Sequence, residues 1–259
     1  EKKEGRLKGH RDVIITDLPG IYSLSPYTLE EIVAENYLIT ERPDVIINIV
    51  DGTNIERNLY LTTQLLELGI PVIVAVNMAD ILEKTGDQIH TDRLGAHLGC
   101  QVTEISALKG TGIQSVADQA VALAGKKRPS VCLHEFSPEA ERIIKSAAEK
   151  LGPEGAEEQR RFFAIRLLEK DQQISQRLSV VPDVSDEIKA LEEAFDDDVE
   201  SIITNERYQY LSTVTSVCCT KSKKEKLSVS DRIDRIVTNR WLALPVFAAV
   251  MFLVYYISV

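Results

Sequence analysis

The sequence predicts an α/β fold built on a parallel sheet, followed by an all-helical region and an apolar terminal segment. Three observations predict it. Apolar runs, VIIT (13–16), VIINIVDG (45–52), IPVIVAVNMAD (70–80) and QVTEISALKG (101–110), alternate with amphipathic stretches such as LEEIVAENYLI and NLYLTTQLLELG. That texture belongs to strands covered on both faces by helices. From about Leu133 the β texture stops and helical stretches take over, and the last nineteen residues, 241–259, carry no charge.

Composition narrows the function classes. At 259 residues and 44% hydrophobic, the chain can build one or two cores. A formal net charge of −10 argues against nucleic acid as a partner, because phosphate binding needs a concentrated basic face. Cys100, Cys132, Cys218 and Cys219 show no CxxC spacing, which suits small buried hydrophobes in a reducing compartment. The adjacent pair Cys218-Cys219 leaves metal binding or redox sensing as the alternative. The opening EKKEGRLKGH has no apolar run, so no signal peptide is expected.

The elements follow in order. Residues 5–8 and 11–16 read as a hairpin around Gly9-His10. Its second strand ends in Asp17-Leu18-Pro19-Gly20, which taken alone is ordinary turn chemistry. The later strands also end in polar residues, Asp51, Asn77 and Ser106. In open parallel sheets, ligands bind in the crevice at those ends.

Two of these ends carry more. Asn77-Met78-Ala79-Asp80 sets an amide and a carboxylate three apart at a strand-to-helix turn. The carboxylate can accept both the ring N–H and the exocyclic amine of guanine, a pair that adenine does not offer, while Asn77 can tie the loop to its neighbours. The alternative is a helix N-cap. Ser106-Ala107-Leu108-Lys109-Gly110 combines small residues, which let backbone N–H groups approach a base carbonyl, with a serine able to fix its own loop.

In the order DxPG, NxxD, SAxKG, each at a strand end, these motifs resemble those of the translation-factor class of GTPases. The stretches DLPGIYSLSPYTLEEIVAENYLI, IINIVDGTNIERNLYLTTQLLELGIPVIVAVNMADI and SDRIDRIVTNRWLALPVFAAVMFLVYYISV resemble the bacterial ferrous iron transport protein B (FeoB) family. The resemblance runs nearly end to end and is most specific at 11–82 and 230–259.

The resemblance implies a Ras-like GTPase sheet lacking its P-loop strand. It also implies four regions: a partial GTP-binding domain at 1–129, a helical coupling domain at 130–220, a basic amphipathic linker at 221–240 and a truncated first transmembrane helix at 241–259. GTP or GDP and Mg2+ are the implied ligands, with Fe2+ the transported substrate of a longer homo-oligomeric protein. Asp17 is matched to the acid that holds Mg2+ through water, and Gly20, beside Leu18 and Pro19, to the glycine that meets the γ-phosphate. Asn77, Met78, Ala79 and Asp80 are matched to the guanine readers, and Ser106, Ala107 and Leu108 to the loop under the base. The implied place is the bacterial inner membrane, with residues 1–240 cytoplasmic.

The membrane reading has its own support. The nineteen residues at 241–259 nearly reach the roughly 20 that a bilayer-spanning helix needs. Trp241 suits the interface, and Lys221, Lys223, Lys224, Lys226, Arg232, Arg235 and Arg240 place the upstream side in the cytoplasm. Ile233, Ile236 and Val237 share one helical face, so 230–241 suits either the membrane surface or an extension of the span. The alternative, a soluble or peripheral GTPase switch of the ribosome-assembly type, has no use for this segment.

Two departures from the GTPase pattern set expectations. Ile21 follows the DxxG glycine where many GTPases carry a water-orienting glutamine, which implies slow hydrolysis. No GxxxxGK[ST] occurs in the sequence, and the switch threonine of the family falls before Glu1. This chain alone is therefore expected neither to bind GTP tightly nor to turn it over, and its missing strand is expected between those at 11–16 and 45–51.

In the helical region, PEAERIIKSAAEKL, EEQRRFFAIRLLEK and VSDEIKALEEAF are separated by breakers at Gly152-Pro153-Glu154-Gly155 and Pro182-Asp183. Phe162, Phe163, Leu167 and Leu168 are the expected core. Asp196-Asp197-Asp198 and Glu154 with Glu157 are candidates for a hard cation, though acids in such helices are usually solvated. His10, His90, His97 and His134 have no ligand spacing and read as surface or structural.

Overall fold

The computed structural model describes residues 3–7, 9–10, 12–25, 27–126, 133–152, 157–222 and isolated positions between 245 and 256. The first compact unit ends at Thr220. Most of the expected linker and span at 221–259, and Cys132 and Glu154, lie outside the described residues. Among those described, no helix is long and apolar enough to cross a membrane.

Strands β1 (Lys3–Arg6) and β2 (Ile14–Asp17) form the expected antiparallel hairpin, with Lys3 opposite Asp17. Then come α1 (Leu29–Thr40), β3 (Ile46–Asp51), α2 (Ile55–Glu67), β4 (Val72–Asn77), α3 (Ala79–Thr85), β5 (Gln88–Ile89), α4 (Thr91–Leu98), β6 (Gln101–Glu104) and α5 (Ile113–Ala124). Helix α1 opens on a capping box in which the Thr28 hydroxyl accepts the Glu31 N–H and the Glu31 carboxylate accepts the Thr28 N–H.

Strands β3, β4 and β6 make a parallel sheet in the order β3-β4-β6. Its register sets Asp51 opposite Asn77 and Val76 opposite Glu104, which aligns the polar strand ends in one row. Central β4 is buried along nearly its whole length, as a parallel strand covered on both faces must be.

The sheet is split. Among the described residues, β2 pairs only with β1, and β3 only with β4, so each of β2 and β3 keeps one edge without a described partner. On one face, Ile73 and Ala75 of β4 pack with Val116 of α5. Ile47 and Ile49, their neighbours on β3, stand 39% and 63% exposed, and Ile14 and Ile15 of β2 stand 67% and 43% exposed. Helix α5 thus covers only part of the sheet face.

The helical region contributes α6 (Pro138–Lys150), α7 (Arg160–Leu168), α8 (Gln172–Arg177), α9 (Ser185–Phe195) and α10 (Val199–Cys218). Phe162, Phe163, Leu167 and Leu168 are buried, as their spacing predicts. They join a core that also holds Leu59, Leu65 and Val74 of the α/β part, so the two textures share one hydrophobic interior. The 20-residue helix α10 packs on α2 and α4, and its end continues as β7 (Cys219–Thr220), which pairs antiparallel with β5. Neither short strand was legible as a strand, because two residues carry no period.

Candidate functional site

The row of strand ends builds a connected polar site at β4 and β6. Gly52, just past β3, has to be glycine: a Cβ there would meet the Asn77 carbonyl and the Leu82 side chain, each at 2.9 Å. Its absence lets the end of β3 close onto the end of β4. Asp51 stays local, accepting the N–H and hydroxyl of Thr53 at 2.8 and 2.7 Å. Burial alone would raise its carboxyl, but the Thr53 and Asn54 hydrogen bonds prevail and hold it below the usual range.

Asn77 does not cap α3, whose N-cap Met78 sits in the left-handed region at φ 69° and makes no side-chain cap bond. Instead, Asn77 Oδ1 accepts the N–H of Ala107 at 3.0 Å, tying the β4 end to the β6 loop. Ser106 donates its hydroxyl to Asp80 Oδ1 at 2.7 Å and accepts the Lys109 N–H at 3.3 Å. The Ala79 N–H donates to the Ile105 carbonyl at 3.2 Å. Ser106 and Thr111 close the loop by mutual backbone bonds at 3.1 and 3.2 Å, and Gly112, at φ 78°, lets the chain pass within 2.5 Å of where a Cβ would meet the Glu104 carbonyl.

Asp80 and Ser106 are both buried, while Met78 and Leu108 beside them are exposed. The Ser106 hydroxyl holds the Asp80 carboxyl below the ordinary carboxylate range, so Asp80 is an anion at neutral pH. One of its oxygens is engaged by Ser106, and the second, Oδ2, accepts no side-chain bond among the described residues. Chemically, the corner offers a fixed anionic acceptor next to apolar surface. The Ala107 N–H is already engaged by Asn77, so a base carbonyl approaching this loop would have to share it.

Asp17 and Gly20 form a second, separate group at the end of β2. Asp17 is exposed, and Gly20 has nothing within 4 Å of where a Cβ would stand, so its backbone is open to approach. Leu18 and Ile21 turn the other way and pack on the core. Beyond them, Leu24 is fully buried; its N–H donates to Gln64 Oε1 at 2.8 Å and its carbonyl accepts Arg166 Nη2 at 2.6 Å.

Other candidates resolve as structural. Asp198 caps α10 by accepting the Ser201 N–H, and Asp196 closes α9 in the left-handed region. Among the described residues, no three His, Cys, Asp or Glu side chains converge as a metal cage. His134 is buried, its Nε2 2.8 Å from Glu67 Oε1, and Arg207 donates to both oxygens of the same carboxylate at 2.9 and 2.8 Å. Burial pushes the His134 ring below its usual value despite Glu67, and Arg207 with His134 holds the Glu67 carboxyl far down against its own burial. Sequence reasoning placed His134 only as surface or structural and missed its partners.

Residues 1–120 match the family model for ferrous iron transport protein B, and residues 136–220 match that of the FeoB cytosolic helical domain. Over 270 residues the chain is 34% identical to the Fe(2+) transporter FeoB of Salmonella typhimurium, with 100% of the chain and 34% of the relative covered. The Escherichia coli K12 protein of the same description gives 34% identity over 271 residues, again covering 100% and 34%. The chain therefore spans about a third of the length of these curated relatives. Among solved structures, NFeoB from S. thermophilus bound to GDP.AlF4- and K+ aligns with TM-score 0.79 and 42% identity, covering 83% of this chain and 86% of that one. The mGMPPNP-bound form aligns with TM-score 0.77 and 41% identity, covering 87% and 86%.

Proposed function

The chain belongs to the ferrous iron transport protein B family, and from that premise we propose that it is the cytoplasmic GTP-binding and helical part of a GTP-dependent Fe2+ uptake transporter of the bacterial inner membrane. One observation carries the reading: Asp80, Asn77, Ser106 and Ala107 are joined by direct hydrogen bonds across two adjacent strand ends. A carboxylate fixed in that way can accept the ring N–H and the amine of guanine together, and it rejects adenine, which would leave it unpaired. The similar solved structures bound to GDP and to a GTP analogue support the same ligand class.

In this reading Asp17 and Gly20 face the phosphates. A single exposed carboxylate suits Mg2+, which keeps most of its waters and takes further ligands from phosphate oxygens. Bound there, Mg2+ would neutralise charge on the β- and γ-phosphates. Asp17 would hold that ion through water, the open Gly20 backbone would meet the γ-phosphate, and Ile21, packed inward, would orient no water. Slow hydrolysis follows.

The unpaired edges of β2 and β3 support a further strand between them, and the bare Ile47 and Ile49 support a helix above it. Covering what remains exposed of each isoleucine is worth roughly 0.6–2 kcal/mol, which favours that completion. A strand running into a helix is the setting of the phosphate-cradling GxxxxGK[ST] loop. The 259-residue chain alone is then a weak nucleotide binder.

Calorimetry tests this directly. A longer chain that includes a GxxxxGK[ST] segment is expected to bind GTP at micromolar concentration and ATP far more weakly, and to lose GTP with Asp80→Asn. Equal affinity for ATP would refute the guanine reading, and micromolar GTP binding by the present chain would refute the need for completion. In the full-length protein, Fe2+ uptake that survives Asp80→Asn unchanged would refute the transport role. Fractionation and light scattering of that protein test the proposed span at 241–259 and the homo-oligomer.

A further inference from the structure

We propose that Arg166 is the positioning residue through which the helical bundle grips the segment that follows the DLPG turn, so that this segment and α7 move as one. The grip is on a single residue. Leu24, four residues beyond Gly20, is held by its N–H on Gln64 of α2 at 2.8 Å and by its carbonyl on Arg166 of α7 at 2.6 Å. Gln64 also accepts the Ser23 hydroxyl at 3.2 Å. One buried side chain from the α/β part and one from the bundle therefore hold the two backbone polar groups of the same residue.

Arg166 is held firmly enough to transmit a displacement. It is buried, its guanidinium donates to Glu169 at 3.0 Å and lies over the Phe162 ring at 5.3 Å. Its Nε stands 3.9 Å from Glu35 of α1, the helix into which the same segment runs. Glu35 has no hydrogen-bond partner on either oxygen, so Arg166 is its nearest compensating charge. Displacing Leu24 must either break a charge-assisted bond in a buried site or drag α7 with it, and the first course is costly. Side-chain networks of this kind, anchored on two packed elements, are how a local shift becomes a movement of elements.

The role in signalling rests on the reading above, in which the DLPG turn responds to the γ-phosphate; the grip itself does not. Amide hydrogen exchange on the present chain tests the grip. Arg166→Met is expected to raise exchange of the Leu24 N–H, which Arg166 does not touch, by roughly tenfold relative to the amides of α10, the factor that follows from losing one buried bond. Arg166→Lys keeps the charge for Glu35 and Glu169 but not the forked geometry. It is expected to fold with near-wild-type stability and still to speed exchange at Leu24. Exchange at Leu24 that rises no more than at α10 in both variants overturns the proposal.

The same measurement on a longer, nucleotide-binding chain tests transmission. Protection of α7 is expected to differ between the GDP-bound and GTP-analogue-bound forms, and the difference is expected to vanish in Arg166→Lys while nucleotide affinity changes less than about threefold. A difference that persists in the variant overturns transmission. Failure of the wild type to bind nucleotide refutes the functional reading and transmission with it, while exchange at Leu24 still decides the grip.

Discussion

Ser106 donates its hydroxyl proton to Asp80 Oδ1 at 2.7 Å, joining side chains 26 residues apart at the ends of neighbouring parallel strands. The bond fixes which way the carboxylate faces and holds its carboxyl below the ordinary range. Ser106→Ala is expected to leave the fold intact and to weaken guanine-nucleotide binding by roughly fivefold to tenfold, the worth of one oriented hydrogen bond. Titration calorimetry of GDP on a chain carrying the phosphate-cradling segment measures it. Unchanged affinity would show that Asp80 needs no help from Ser106.

In the proposed reading Ile21 stands in the place of a water-positioning glutamine, and its side chain packs on the core. Ile21→Gln therefore puts an amide into an apolar contact instead of toward a phosphate. The expected result is a loss of about 1–2 kcal/mol in urea denaturation, with no gain in single-turnover GTP hydrolysis. A tenfold faster turnover would mean that the DLPG segment swings Ile21 outward.

Much of this architecture was legible because it rests on local signals. The alternation of Val/Ile runs with amphipathic stretches placed β3, β4, α1 and α2, and the polar residues closing each run marked the strand ends that the register aligns. Phe162 and Leu168 were identified as core by helical spacing alone. What stayed hidden depends on long-range contact. Leu24 reads as one more residue of a loop, and only the fold brings Gln64 and Arg166 to its two sides. The uncovered half-face at Ile47 and Ile49 likewise required the structure.

Glu67 and Arg207 are a buried pair linking α2 to α10, with His134 as a third member and Phe136 and Tyr60 against the guanidinium. Arg207→Met leaves a carboxylate buried with only a histidine beside it, which is expected to cost about 3–5 kcal/mol. The pH response should change with it. In the parent chain the His134 ring is held below its usual value by burial, so its share of stability is lost as pH falls below about 6.5. With Arg207 gone, protonated His134 becomes the only partner of Glu67, so its pKa rises and the loss on acidification shrinks. Denaturation at pH 7.5 and pH 5.5 measures both effects, and an undiminished loss in the variant would mean that His134 is not coupled to Glu67.

Glu35 lies 1% exposed on α1, with neither carboxylate oxygen hydrogen-bonded. Burial pushes its carboxyl up to about 7. Arg166 and Arg177 pull the other way, and Glu169 and Asp171 add to the rise; these four, from α7, α8 and the turn between them, are the charges that face it. The folded state therefore holds a proton that the unfolded chain releases near its ordinary value of 4.5. Stability from this group is complete below that value and is lost as pH rises through about 7, a total of about 3 kcal/mol at 1.36 kcal/mol per pKa unit. Glu35→Gln keeps the shape and cannot ionise. It is expected to exceed the wild type by less than about 1 kcal/mol at pH 5 and by about 3 kcal/mol at pH 8, as read from urea midpoints. The variant-minus-wild-type difference removes the opposite trend of His134, which is common to both chains. A gap that stays flat from pH 5 to pH 8 would show that Glu35 is already ionised in the folded protein, with Arg166 supplying more compensation than a separation of 3.9 Å suggests.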